Sequence, residues 1–96
     1  IVTYIIHISK KFVIGVFDKN KALSGQLLRG LPIRHTDGIY DFCKDNSPTV
    51  AVLCIPSAAA KELAPQLVES GIKGFWNFSH YDIAADFPNV AVENVH

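Results

Sequence analysis

Several features that commonly betray a protein's role are scarce or missing here. Only two cysteines occur, Cys43 and Cys54, with neither metal spacing nor a C-x-x-C pattern. A disulfide framework and a thiolate metal centre are therefore excluded, and both read as reduced, buried thiols. The four histidines, His7, His35, His80 and His96, show no ligand spacing such as H-x-x-x-H, so no metal site is read. No apolar run approaches the ~20 residues that cross a bilayer. Ile1 to Ile8 has no basic stretch before it and no cleavage site after it, which argues against a signal peptide. The expectation is a cytoplasmic protein without a membrane partner. An excess of charge is also lacking, since nine basic and nine acidic side chains cancel. A nucleic-acid surface needs clustered positive charge, so any DNA contact falls to sequence outside this segment. No Ser/His/acid set, paired carboxylates or activated lysine stands at a strand end, which favours a binding module over an enzyme.

What is present describes one globular domain or a piece of one, with 49% hydrophobic and 19% charged residues. The chain is organised around Thr49 to Ser79, which reads as one βαβ unit. Val50 to Ile55 is an apolar, β-branched run without alternation, as in a strand buried on both faces of a parallel sheet. Pro56 ends it. Ser57 can cap the following helix, and Ala58, Ala59 and Ala60 leave its first turn nearly bare. Leu63, Leu67 and Val68 form its apolar stripe. Pro65 breaks the helical rule and reads as the outer side of a bent, solvent-facing helix. Gly71 suits the left-handed residue that stops a helix, and Gly74 to Phe78 starts the next strand.

Around this unit, Ile1 to Ser9 reads as the end of an apolar helix, although its β-branched residues equally suit a strand. Lys10-Lys11 form a polar join to a buried strand, Phe12 to Phe17, closed by Asp18. Ala22 to Leu28 is a short helical or irregular link. Leu31 to Arg34 reads as an edge strand because Pro32 forgoes a ladder donor. Thr36 or Asp37 can cap a helix running to about Asp45. An irregular stretch, His80 to Pro88, precedes a last strand at Val90 to Val95.

Strands alternating with helices predict an α/β fold, a Rossmann-like doubly wound and mostly parallel sheet. In the order 3-2-1-4-5-6 the first strand is the middle one. If the chain opens in the helix before the second strand, the first strand and its Gly-rich loop lie upstream of Ile1. Residues 1–96 then read as a partial Rossmann domain. Without a ribbon between them, Phe12–Phe17 and Val50–Ile55 would each bury a row of unpaired backbone groups, at ~1–3 kcal/mol apiece. An acidic residue closing the second strand is the other half of the dinucleotide fingerprint, and it accepts bonds from the adenosine ribose. Asp18 fits that place, and a carboxylate there favours NAD(H) over NADP(H), a preference weakened by Lys19 and Lys21.

The chain resembles the nucleotide-binding domain of the redox-sensing transcriptional repressor Rex. The resemblance rests on Val16 to Asn20 (VFDKN), Arg29 to His35 (RGLPIRH), Ile55 to Ala60 (IPSAAA), Ser70 to Ser79 (SGIKGFWNFS) and Val92 to His96 (VENVH). It implies a homodimeric repressor whose N-terminal winged helix, absent here, binds operator DNA and lets go when NADH binds. It further implies that Asp18 holds the ribose, that Ile55 and Pro56 line the cleft, and that Tyr4, on a helix, lies near the nicotinamide. Phe78 would be the aromatic set beside the partner's nicotinamide, with Asn77 next to it at the interface with the DNA-binding part. Trp76 reads as ordinary core. His80 departs from the family pattern, where proline is common. Two alternatives remain, the Rossmann domain of an NAD-dependent oxidoreductase and the CoA-binding module of an acyl-CoA synthetase. Asp18 tells against the second, because CoA carries a 3′-phosphate.

Overall fold

The computed structural model describes residues 2–7 and 12–95. The Lys10-Lys11 join and His96 lie outside the described residues. The strands are β1 (Val2–His7), β2 (Phe12–Asp18), β3 (Leu27–Leu28), β4 (Leu31–His35), β5 (Val50–Cys54), β6 (Gly74–Asn77) and β7 (Ala91–Asn94). The helices are α1 (Ile39–Asn46), α2 (Ser57–Glu69) and α3 (Ile83–Asp86). The strands form one seven-stranded sheet in the order β3-β4-β2-β1-β5-β6-β7.

The pairs β2–β4, β5–β6 and β6–β7 are parallel, as a doubly wound sheet requires. The place between β2 and β5 is filled, but by β1 running antiparallel to both neighbours. The helix read over Ile1 to Ser9 is therefore corrected to a strand over Val2–His7. The physical reason is the demand from both sides. Two central strands offer complementary ladders, and a β-branched run satisfies them better than a helix could. Among the described residues no parallel strand occupies that middle position.

Strand β4 is second from the rim rather than at it. The two-residue β3 pairs outside it through Leu27↔Pro32 and Leu28↔Leu31, so the link read as helical or irregular is partly strand. Pro32 is tolerated because its neighbour Ile33 donates to the Gln26 carbonyl, 2.8 Å.

One face of the sheet carries the core. Phe17, Ala51, Leu53 and Phe75 cluster with Ile39 and Cys43 of α1 and with Ala60, Leu63 and Leu67 of α2. The register Ala51↔Phe75 puts these side chains on the same face, and one residue on, Val52↔Trp76 points the other way. Trp76 is consequently 50% exposed, and its reading as core is corrected. Gly15 lies under the Phe42 ring, where an added Cβ would stand 2.8 Å from the nearest ring carbon. Phe42 packs edge-on against Phe17, centroids 5.2 Å apart.

Helix α2 runs unbroken through Pro65, which faces solvent. It ends as expected at Gly71, φ 104°. Gly71 donates to the Val68 carbonyl and Ile72 to that of Leu67, both 3.1 Å, which completes a Schellman stop. This stop turns the chain into β6.

Candidate functional site

A cleft of about 870 Å³ opens where β2, β4 and β5 end and α2 begins. That is where ligands sit in open α/β sheets, because loops leaving in opposite directions part at the strand ends. Asp18 is the last residue of β2 and lines the cleft. One of its carboxylate oxygens accepts the Asn20 N–H at 2.8 Å. Asn20 in turn accepts from Ala22 N–H, 3.0 Å, capping the short 3-10 turn Lys21–Leu23. This pair of side-chain turns holds the Asp18 carboxylate in one orientation at the cleft wall.

Opposite stands the start of α2. Ser57 is already helical and Pro56 takes the N-cap position without a side-chain cap bond, so the expected Ser57 cap is corrected. Proline at that place leaves the first-turn donors uncovered, and Ala59 and Ile55 line the cleft beside them. The first turn is thus bare in the manner that lets an anion approach backbone N–H groups.

The floor holds His35 at the end of β4. Its Nδ1 accepts the Asp37 N–H at 3.1 Å, and its Nε2 then donates to the Lys19 carbonyl at 3.0 Å. The Asp37 carboxylate lies 3.2 Å from Nδ1, a contact that becomes an ion pair only when the ring is protonated. His35 therefore ties the turn after β2 to the end of β4. At the mouth, Lys19 Nζ and Glu62 approach to 3.7 Å, both largely exposed. A solvated pair of this kind contributes little stability.

The sequence-predicted residues divide. Asp18 and Ile55 line the cleft, and Pro56 adjoins them at the N-cap. Tyr4 lies on β1 in register with Val16 and Val52, not on a helix. Asn77 ends β6 and Phe78 follows it, both outside the residues that line the cleft. Phe78 is 45% exposed, whereas Asn77 is fully buried. Cys54, at the end of β5, is half-buried, and burial pushes its thiol pKa up.

Sequence reasoning missed His35, Glu62 and Gln66 as cleft residues. Two signals could have found them. His35 closes a parallel strand, and Ala59, Glu62, Leu63 and Gln66 fall at i, i+3, i+4, i+7 on one side of α2. Among the described residues no group of three or more His, Cys, Asp or Glu side chains could hold a metal ion. Nor is any described helix long and apolar enough to cross a membrane.

Comparison with known proteins bears on this geometry. Residues 2–81 match the family model of the CoA binding domain. The chain is 43% identical over 84 residues to the redox-sensing transcriptional repressor Rex of Caldicellulosiruptor saccharolyticus, covering 88% of this chain and 38% of that protein. It is 39% identical over 83 residues to Rex of Clostridium perfringens (strain SM101), covering 85% and 38%. Among solved structures, RSP in complex with β-NADH superposes with a TM-score of 0.78 at 36% identity, over 86% of this chain and 40% of that one. RSP with β-NAD⁺ and operator DNA gives a TM-score of 0.75 at 36% identity, over 83% and 36%. The chain thus spans 38% of the length of the first of these curated relatives. With its matched residues forming the Rossmann-like sheet and the cleft at its strand ends, the chain belongs to the CoA-binding domain family.

Proposed function

We propose that this domain is the NAD(H)-binding part of a redox-sensing transcriptional repressor that releases operator DNA when NADH binds. The observation that carries the reading is Asp18. Its carboxylate is held at the end of β2 by the Asn20 N–H and looks into a cleft whose far wall is one side of α2, from Ala59 near the uncapped start to Gln66. A carboxylate fixed there accepts hydrogen bonds from a vicinal diol, and uncovered helix N–H groups suit a diphosphate.

Each residue then has a task. Asp18 holds the adenosine ribose, while Ile55 and Pro56 pack along the cleft. Phe78, an exposed aromatic three inter-strand steps or ~14 Å from the β2 end, meets the nicotinamide across a dimer interface. Tyr4, on β1, is assigned to the nicotinamide by the resemblance to Rex. When bound, the cofactor supplies a ring that is neutral if reduced and cationic if oxidised. A dry aromatic contact made by Phe78 favours the neutral form, because desolvating a cation is costly. Cation–π attraction opposes this preference without cancelling it. The role is regulatory, not catalytic. DNA is contacted by a winged-helix domain outside these residues, in a cytoplasmic homodimer.

Support comes from the similarity to RSP, crystallised with β-NADH and with β-NAD⁺ plus operator DNA. The test is operator release by the full-length protein. NADH should displace it from DNA and NAD⁺ should not. Equal response to the two forms, or none to either, would refute the sensor reading. The family model's description favours a second ligand, CoA. Three carboxylates line the cleft, Asp18, Asp37 and Glu62, against Lys19 and Lys21. That balance disfavours a 3′-phosphate, so CoA should fail to compete with NADH.

A further inference from the structure

We infer that Asn77 is a positioning residue whose buried amide sets the turn that presents Phe78, and that it does not itself touch the cofactor. This rests on the reading that Phe78 meets the nicotinamide.

Asn77 has no solvent exposure. Its Nδ2 donates to the Tyr81 carbonyl at 2.7 Å and to Asn94 Oδ1 at 3.0 Å. Its Oδ1 accepts from the Ser79 N–H at 3.1 Å and from the Ser79 hydroxyl at 2.5 Å. Both amide protons and both lone pairs are thereby used, and nothing remains to offer a ligand. The side chain that the sequence suggested as a cofactor or interface contact is instead a closed knot.

The knot surrounds Phe78 on every side along the chain. Before it, the Asn77 carbonyl accepts Val95 N–H at 2.9 Å, and the Phe78 N–H itself donates to the Leu53 carbonyl at 3.0 Å. After it, Ser79 is bound twice to the Asn77 amide, and Tyr81 N–H donates to the Ser79 hydroxyl at 3.3 Å. The backbone of residues 77–81 is therefore held from β5, from β7 and from within. Phe78, 45% exposed, projects from this fixed turn. An apolar contact made by a pre-organised side chain avoids the ordering cost that a mobile one would carry.

The amide is required chemically. A carboxylate of the same shape keeps the two acceptors for Ser79 but has no proton for the Tyr81 carbonyl. Asn94, directly opposite in register, could turn its amide to donate, so one of the two lost bonds is recoverable. Asn77→Asp should loosen the turn at Tyr81 without deleting the side chain's volume.

The experiment measures NADH and ADP-ribose affinity on the full-length protein carrying Asn77→Asp, Ser79→Ala or Phe78→Ala. ADP-ribose has the adenosine and diphosphate but no nicotinamide. A positioning role predicts that Asn77→Asp weakens NADH about tenfold, the scale of one aromatic contact, with ADP-ribose within about twofold. Phe78→Ala should give the same split. Ser79→Ala, which removes one bond to the amide oxygen, should shift NADH about threefold the same way and serves if the aspartate variant does not fold. Equal weakening of both ligands, or of neither, in the Asn77 and Ser79 variants would overturn the inference. An unchanged NADH affinity in Phe78→Ala would instead overturn the reading of Phe78, and the inference with it.

Discussion

Replacing Asp18 by alanine is the most direct test of the cleft. The carboxylate has two oxygens, and one is engaged by the Asn20 N–H at 2.8 Å. The remaining capacity suits one or two ribose hydroxyls. A hydrogen bond to a charged group contributes ~1.5–3 kcal/mol, so losing one should weaken NADH by about 10- to 150-fold. The alanine also removes the anchor of the turn after β2, worth on the order of 1 kcal/mol of stability. Asp18→Asn separates the two effects, because its amide oxygen can keep the Asn20 bond while the charge is gone. Fluorescence titration of NADH against the full-length protein, with thermal melts alongside, should show Asp18→Asn folding like the parent and binding more weakly. Removing the carboxylate should also narrow the gap between NADH and NADPH, since a 2′-phosphate would no longer face it. An Asp18→Ala protein that bound NADH within twofold of the parent would refute the ribose role and with it the assignment of this cleft.

Other parts of the molecule give independent checks. Gly15→Ala places a methyl 2.8 and 2.9 Å from two Phe42 ring carbons, so chemical denaturation should show a loss of ~1–3 kcal/mol from overpacking, relieved in part by Phe42→Leu. The Tyr81 hydroxyl donates to Asp86, and that bond, helped by burial and by the carboxylate charges of Asp86 and Asp82, pushes its pKa up to about 12. A folded-state pKa raised above the unfolded value of ~10 means this contribution is whole below pH ~10 and is lost as pH climbs towards the folded value. A phenolate absorbance titration should show Tyr81 ionising late, and Asp86→Asn should bring it back. Cys43 is 3% exposed, and burial pushes its thiol pKa up to about 11. Its alkylation near neutral pH should therefore follow global unfolding, and rapid labelling in the native state would contradict its place between α1 and the sheet.

Sequence alone determined whatever short-range chemistry decides. The apolar run before Pro56, the bare alanines after it and Gly71 at a helix stop make β5, α2 and the turn into β6 legible, because periodicity and backbone preference act within a few residues. It also required a ribbon between β2 and β5, since central strands cannot leave their ladders unpaired. Which segment supplied that ribbon was settled only by the fold. Val2–His7 suits helix or strand by composition, and the two flanking ladders chose strand and direction. The cleft shows the same division: Asp18 was legible as the residue closing a strand, whereas His35, Glu62 and Gln66 join it from elements far along the chain. Trp76 was misread, and the surroundings of Asn77 went unseen, for the same reason. The β6–β7 register sets Asn94 against Asn77 and makes it core, and strand alternation turns Trp76 outward. Hydrogen-bond partners and sheet faces are properties of neighbouring strands, and a single strand's residues do not carry them.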